Sequence, residues 1–133
     1  MSEPLFLTLA EAVDIHADQI RRYGGQSGIR DLGLLESALA QPEASFGGEW
    51  LHGDLYAMAA AYAYHVCQNH PFFDGNKRAA LPSALVFLEL NGMSLLDPKG
   101  KLKDAVRAVA SGRMDKPALA KLFRALPKSS HGA

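Results

Sequence analysis

The sequence predicts an all-α fold, a compact bundle of six helices with room for one short β-hairpin. Apolar residues recur at three- and four-residue spacing along most of the chain, as they do on the buried face of a helix. Capping residues and glycine or proline stops divide these segments into lengths typical of helices. With 133 residues and 48% hydrophobic content, the chain 1–133 is expected to form a single domain around one core.

Start and stop signals define the first two predicted helices. Thr8 and Glu11 form a capping box, so the first helix should follow Thr8 and end at the Gly24-Gly25 pair. Asp31 can cap a second helix, which should stop before Pro42. These two helices therefore account for most of the first 41 residues.

The middle of the chain combines a glycine-containing turn with a strongly apolar segment. The pair Gly47-Gly48 predicts a bend or a short hairpin within residues 42–53. Residues 54–69 are predicted to form a third helix that is apolar on nearly every side, with Asp54 at its start. Because an all-round apolar helix must be covered by neighbours, we expect this helix at the centre of the bundle.

The fourth helix is predicted to run from about residue 76 to residue 91, with Gly92 as its C-terminal cap. Pro82 lies inside this segment and lacks a backbone N–H. We therefore expect a kink in the helix just past its first turn.

The last two helices are predicted from two aspartates. Asp97 followed by Pro98 is typical of a capped helix start, and the fifth helix should run from there to about residue 111. Asp115 should cap a sixth helix that ends at Pro127. The two chain ends, residues 1–7 and 127–133, are expected to be frayed.

Nine residues between the third and fourth predicted helices carry most of the functional information. They read His70-Pro71-Phe72-Phe73-Asp74-Gly75-Asn76-Lys77-Arg78. Pro71 should end the preceding helix. Gly75 tolerates a positive φ, and Asp74 or Asn76 could cap the helix that follows. The segment is therefore predicted to be a polar loop between two apolar helices, where binding and catalytic residues tend to lie.

The loop chemistry favours a phosphate site. A turn that leads into a helix start leaves several backbone N–H groups pointing outward, and Lys77 and Arg78 add positive charge in the first turn. His70 could accept a proton from a hydroxyl group, and Asp74 could hold a divalent cation. A nucleotide phosphate with Mg²⁺ is the ligand that suits this set.

Two other interpretations use the same residues. In the first, the loop is an ordinary connection in which Asp74 only caps the next helix. In the second, His65, Cys67, His70 and Asp74 bind a metal ion, although their spacing matches no standard zinc pattern.

The loop resembles the signature of the Fic/Doc family, which runs His-x-Phe-x-Asp/Glu-Gly-Asn-Gly-Arg-x-x-Arg. The matching residues are His70, Phe72, Asp74, Gly75, Asn76 and Arg78. Lys77 replaces the second glycine and Leu81 the second arginine, and both departures are those of the Doc (death on curing) branch. The stretch from residue 23 to residue 39 also resembles Doc-type chains.

The resemblance implies a Doc-like bundle that binds ATP and Mg²⁺. It implies that the chain is a toxin which phosphorylates a protein hydroxyl, with a threonine of elongation factor Tu as the expected target. A cognate antitoxin would then restrain it in trans. A short hairpin flap in this family pairs with the backbone of the target. AMP transfer, the activity of ordinary Fic proteins, and a non-catalytic partner-binding module remain as alternatives.

The resemblance also assigns roles to single residues. His70 is the expected general base, Asp74 the expected magnesium ligand, and Lys77 and Arg78 are expected in catalysis as well as in phosphate binding. Phe72, Gly75, Asn76, Lys77 and Arg78 are the expected nucleotide-binding set. Phe72 should also plug into the core and fix the loop, and Phe73 could face the nucleotide instead.

Charge and cysteine content limit the other function classes. The chain has 14 basic and 14 acidic side chains, so neither direct nucleic-acid binding nor membrane attraction is indicated. Residues 99–133 nevertheless hold nine basic and two acidic side chains, which could form a docking patch for an acidic partner. Cys67 is the only cysteine and is expected to fill space in the core. A cytoplasmic location is the default expectation.

Overall fold

The computed structural model describes residues 3–130, and residues 1, 2 and 131–133 lie outside the described part. Six α-helices occur in this part of the chain, together with two antiparallel pairs of short strands and one short 3-10 turn. The helices are α1 (Leu9–Tyr23), α2 (Leu32–Ala40), α3 (Leu55–Asn69), α4 (Asn76–Leu90), α5 (Lys101–Ala110) and α6 (Lys116–Ala125). The strands are β1 (Ser45–Phe46), β2 (Glu49–Trp50), β3 (Met93–Leu95) and β4 (Lys128–Ser130), and the 3-10 turn is Gln41–Glu43. The six-helix prediction is confirmed.

Helix α3 lies at the centre of the bundle, as its composition predicted. Eight of its residues are buried, and Met58 and Tyr62 have no exposed surface. Helices α2, α4, α5 and α6 all pack against it. Cys67 is buried in the same core, which confirms the space-filling interpretation. Within the described residues, no helix combines the length and apolar character needed to cross a membrane.

The predicted hairpin forms by pairing of β1 with β2 around the two glycines. Ser45 pairs with Trp50 and Phe46 with Glu49. Gly47 and Gly48 both adopt positive φ, at 61° and 83°, as a two-residue hairpin turn requires. The Phe46 side chain is 84% exposed at this turn.

Four helix starts have side-chain caps, and three of these, Thr8, Asp31 and Asp115, were predicted as caps. Thr8 and Glu11 form the complete capping box of α1. The carboxylates of Asp31, Asp54 and Asp115 accept hydrogen bonds from backbone N–H groups in the first turns of α2, α3 and α6. Local sequence was sufficient here because each cap contacts only the three residues that follow it.

Two helix starts differ from prediction. The N-cap of α4 is Gly75, at φ 74°, and no side chain caps the helix, so the expected caps Asp74 and Asn76 are both wrong. Helix α5 begins at Lys101 rather than after Asp97. The Asp97 carboxylate still accepts from the N–H groups of Lys101 and Leu102 at 2.8 and 2.9 Å, across an intervening turn.

The described parts of the chain ends are held in place, in contrast to the predicted fraying. Leu7 is buried, and its N–H donates to the Tyr62 hydroxyl at 2.9 Å. Strand β4 pairs with β3, and Pro127 accepts a hydrogen bond from the N–H of Leu96. The partners are 31 to 55 residues away in sequence, for example Leu95 opposite Lys128, so local composition did not indicate them.

Helix α4 continues through Pro82 to Leu90. The missing N–H of Pro82 leaves the carbonyl of Arg78 without its helical donor. Ser83, the residue after Pro82, donates a hydrogen bond from its hydroxyl to the carbonyl of Ala79 at 2.7 Å.

Candidate active site

The candidate active site is the loop between α3 and α4, and it begins with an unusual backbone at His70. His70 ends α3 at φ 48° and ψ 53°, and it is the one non-glycine residue with positive φ in residues 3–130. This left-handed conformation costs an L-residue about 1 kcal/mol or more. Such strain persists only where the surroundings enforce it, and it is common at functional sites.

The segment before α2 holds this end of α3 in place. The guanidinium of Arg30 donates from Nε to the carbonyl of His70 at 2.7 Å and from Nη2 to that of Asn69 at 3.2 Å. The backbone N–H groups of Arg30 and Asp31 both donate to the carbonyl of Pro71. Ile29 forms an isolated β-bridge with Phe72. The Doc-like stretch noted in the sequence therefore acts as a brace for the loop.

Phe72 and Asn76 close the loop from inside. The Asn76 side chain accepts from the Phe72 N–H at 2.9 Å and donates to the Phe72 carbonyl at 3.0 Å. The Phe72 ring is 2% exposed and belongs to the core. Phe72 therefore anchors the loop. Its predicted contact with the nucleotide is not supported, because a buried ring cannot reach a ligand. Phe73 is 52% exposed and lines the site in its place.

The carboxylate of Asp74 is exposed and accepts two backbone hydrogen bonds. Its Oδ2 accepts from the N–H of Gln26 at 3.2 Å and its Oδ1 from the N–H of Gly75 at 2.8 Å. These bonds, first that of Gln26, hold the pKa of Asp74 below its ordinary value, and the charge of Arg78 adds to the effect. Asp74 is therefore ionised at neutral pH.

Close packing around this carboxylate requires glycine at position 25. A Cβ atom there would lie 2.7 Å from Oδ2 of Asp74 and 3.0 Å from Nη2 of Arg78. Gly25 also has φ 116°, which side-chain-bearing residues rarely adopt.

His16 lies beneath the loop, and sequence reasoning did not place it in the site. It is 3% exposed on α1, and its ring stacks on Phe72 with centroids 3.8 Å apart and an interplanar angle of 3°. Its Nε2 lies 2.7 Å from the carbonyl oxygen of Asp74. His16 is 58 residues from Asp74 in sequence, and only the fold brings it beneath the loop.

One concave cavity of about 300 Å³ collects most of the predicted site residues. It is lined by His70, Phe73, Asp74, Gly75, Asn76, Lys77 and Arg78. His70 and Lys77 are exposed. The predicted base, carboxylate and cations therefore share one opening to solvent, and Phe72 is the predicted residue that does not join them.

The start of α4 at the floor of this cavity is suited to an anion. No side chain caps its first turn, and that turn holds Lys77 and Arg78 and no acidic residue. A helix N-terminus attracts negative charge, so these cations raise the energy of the helix until an anion binds. Asp74 does not cap α4, so that part of the interpretation of the loop as an ordinary connection is wrong.

The donor set also suits Mg²⁺ better than zinc. Magnesium sites at phosphates use one or two carboxylates and take the other ligands from phosphate and water, and Asp74 is an exposed, ionised carboxylate beside the start of α4. Within residues 3–130, no three histidine, cysteine or carboxylate side chains lie together as a metal cluster. The arrangement of His65, Cys67, His70 and Asp74 is not supported.

The comparison with known families agrees with this geometry. The sequence model of the Fic/DOC family matches residues 6–88, which include the whole loop and the segment that braces it. The chain belongs to the Fic/Doc family. The matched region covers α1 to α3 and most of α4, and it includes every residue named so far in the candidate site of this Fic/Doc protein.

Two curated relatives place the chain in the Doc branch. It is 34% identical over 116 residues to "Protein kinase doc" of Escherichia phage P1, which covers 87% of this chain and 90% of that protein. It is 41% identical over 73 residues to "Toxin Doc" of Mycolicibacterium smegmatis, which covers 55% of this chain and 56% of that one. The departures at Lys77 and Leu81, which indicated this branch in the sequence, agree with both comparisons.

A second groove adjoins the site of this Fic/Doc protein. It has a volume of about 620 Å³, and the residues that line it come from α1, α4 and α5. Its cations are Lys77, Arg78, Lys103 and Arg107, and none of the described carboxylates lines it. Tyr23 lies in the same groove and is 66% exposed. We refer to this surface below as the cationic groove.

Proposed function

We propose that this chain is the toxin of a toxin–antitoxin pair and that it transfers the γ-phosphoryl group of ATP to a protein hydroxyl. The supporting observation is the shared cavity, in which His70, an ionised Asp74 and the uncapped start of α4 face one space. The names of the two relatives, a protein kinase and a toxin, agree with this proposal. A threonine of elongation factor Tu is the expected target, since the Doc resemblance implies it.

Four side chains of the cavity, and the backbone at the start of α4, have defined parts in the proposed reaction. His70 takes the proton of the target hydroxyl as its oxygen forms a bond to the γ-phosphorus, and the bond from that phosphorus to the β-bridging oxygen breaks, which releases ADP. The N–H groups at the start of α4, with Lys77 and Arg78, hold the phosphate oxygens. Mg²⁺ bound by Asp74 and the phosphates would neutralise charge on the transferring group.

The β1–β2 hairpin is the surface proposed for the target backbone. An extended target segment could add to an edge of this hairpin by main-chain hydrogen bonds, which is a common mode of peptide recognition. The exposed Phe46 ring would then contact a target side chain.

AMP transfer is the second candidate. Gly75, Asn76 and Arg78 match loop residues that AMP-transferring Fic proteins share. Lys77 is the observation that favours phosphoryl transfer, because it places a cation where those proteins have glycine.

The decisive experiment labels ATP at either the α- or the γ-phosphate and incubates it with the purified protein and elongation factor Tu. Phosphoryl transfer moves only the γ-label and increases the target mass by one phosphoryl group. Transfer of the α-label would indicate AMP addition instead. If neither label moves, the chain is better described as a partner-binding module. His70→Ala should abolish transfer, and full activity in that variant would contradict the proposed base.

The choice between phosphoryl transfer and AMP transfer can be tested separately with the variant Lys77→Gly. We expect this variant to lose phosphoryl transfer and, if the nucleotide binds in the other orientation, to gain the α-label on the target. If this variant still transfers the γ-phosphoryl group at the wild-type rate, Lys77 no longer favours phosphoryl transfer over AMP transfer.

An antitoxin is proposed to bind with an acidic segment in the cationic groove. The groove carries four cations and shares Lys77 and Arg78 with the site, so an acidic segment there would also block the phosphates. Charge reversal by Lys103→Glu with Arg107→Glu should weaken binding of the protein encoded next to this gene. The matched control is Lys121→Glu on exposed α6 surface. Equal antitoxin binding by both variants would exclude the groove.

A further inference from the structure

We infer that His16 is a positioning residue, which fixes the Asp74–Gly75 peptide so that the Gly75 N–H points away from the core and donates to the Asp74 carboxylate in the proposed site. This inference rests on the proposed function, because it assigns a role within the same phosphate-binding loop. His16 belongs to α1, whereas all residues that line the cavity belong to the loop itself or to α4.

The first step is the hydrogen bond from His16. The carbonyl oxygen of Asp74 can only accept, so the Nε2 atom 2.7 Å away must carry the proton. A ring that is 3% exposed and stacked flat on Phe72 has little freedom to turn away. His16 therefore presents one fixed donor to one carbonyl.

The second step follows from the planar peptide. In a trans peptide unit, the C=O of one residue and the N–H of the next point in opposite directions. Because His16 holds the Asp74 carbonyl toward the interior, the Gly75 N–H must point outward. It does so, and it donates to the exposed Asp74 carboxylate at 2.8 Å.

The third step concerns space. A Cβ atom on residue 75 would lie 3.2 Å from Cδ1 of Ile20 and 3.5 Å from Nε2 of His16. Gly75 has φ 74°, so its peptide is free of the side-chain limits that fix other residues. The N–H side of this peptide is held by the Asp74 carboxylate of the same loop, and His16 supplies the partner from outside the loop on the carbonyl side.

The inference predicts how three variants differ. His16→Phe keeps an aromatic ring on Phe72 but removes the donor, so the peptide should rotate more freely. His16→Gln can place an amide N–H near the position of Nε2 and should restore much of the orientation. Since groups that support a ligand-binding residue typically contribute 10- to 100-fold, we expect His16→Phe to weaken Mg-ATP binding by about tenfold.

The test combines two kinds of measurement on the full chain. NMR of the His16 ring nitrogens should show a protonated Nε2, and the Gly75 amide signal should shift in His16→Phe and move back in His16→Gln. Calorimetric titration with Mg-ATP should follow the same order. Phe123→Leu, in the core of α6, is the control for a general loss of stability, and it should leave the Gly75 signal and the ATP affinity unchanged.

The outcomes separate this inference from the proposed reaction. If His16→Phe has the wild-type Gly75 signal and ATP affinity, or if His16→Gln and His16→Phe are equally impaired, His16 does not position the peptide. If the NMR and binding results agree with expectation while no phosphoryl group reaches any target, the positioning role stands and the proposed reaction fails.

Discussion

Helices α4 and α6 both pack against α3, and both carry a lysine in their first turn, but their starts are built differently. At α6, the Asp115 carboxylate caps the N–H of Ala118 at 2.9 Å, and Lys116 lies 3.0 Å from Nε2 of His65 and above the Tyr64 ring. At α4, no side chain caps the first turn and Lys77 is exposed in the cavity. The first start is satisfied by the protein, whereas the second leaves donors and charge for a ligand.

The difference shows how stability and binding can be separated within one bundle. A capped helix start gains its hydrogen bonds on folding, so it contributes to the free energy of unfolding. An uncapped start with cations gains them only when an anion arrives. The same element, a helix N-terminus beside α3, is therefore structural in one place and a candidate binding site in the other.

The largest expected effect comes from removing the cations of α4. Lys77→Ala with Arg78→Ala should reduce phosphoryl transfer by about 100-fold or more, since loss of one such donor already costs that much in other enzymes. Lys116→Ala, the equivalent change at α6, should leave the transfer rate nearly unchanged. A steady-state assay on both variants makes the comparison, and equal losses would mean that the two starts do not differ in function.

The second-largest expected effect is a loss of stability when the side-chain cap of α6 is removed. No such cap exists at α4. Asp115→Ala should lower the free energy of unfolding by about 1 kcal/mol, because the first turn loses its cap. Urea denaturation measures the change. The transfer rate per folded molecule should stay at the wild-type level, and a large loss of rate would show that α6 contributes to the site.

A pH dependence should come from the surroundings of Lys116. Burial, with smaller contributions from the charges of Lys116 and His52, lowers the pKa of His65 to about 4 from 6.5. Between these values the unfolded chain binds a proton that the folded chain does not, so stability should fall as pH drops from 6.5 to 4. Because His65 is only half-buried, we expect the free energy of unfolding to fall by less over this pH range than it does in Asp115→Ala.

His65→Gln provides the control for this effect. The variant should lack the part of the pH slope that belongs to His65, as seen in urea denaturation at several pH values. If the wild-type protein and this variant have the same slope, another group is responsible.

The smallest expected effect is a gain in stability when a charge at the start of α4 is reversed. Lys77→Glu places a negative charge in an uncapped first turn, so the free energy of unfolding should rise by about 0.5 kcal/mol. The same variant should bind Mg-ATP more weakly. Thermal unfolding with and without Mg-ATP tests both, and a variant that is less stable and binds normally would contradict the anion-site interpretation.

Much of the helical fold could be predicted because its signals are local. The caps at Thr8, Asp31, Asp54 and Asp115 each act within one turn, and the apolar composition of α3 required a central position. The loop residues that line the cavity were found because they lie within nine positions of one another.

The remaining features depend on contacts between distant segments. The pairing of β3 with β4, the Arg30 brace and the stacking of His16 on Phe72 all join residues more than 30 positions apart. The burial of Phe72 was predicted, but its stacking partner His16 on α1 was not. The predicted start of α5 was wrong because the Asp97 carboxylate accepts from N–H groups of α5 across an additional turn.

The left-handed backbone at His70 has a consequence for the evolution of the site. Glycine would adopt φ 48° more easily than any side-chain-bearing residue, so selection for stability alone would replace the histidine. An inactive His70→Gly protein should accordingly melt at a higher temperature than the active one. A lineage in which the proposed activity is no longer selected would have a short mutational route to a more stable, inactive protein.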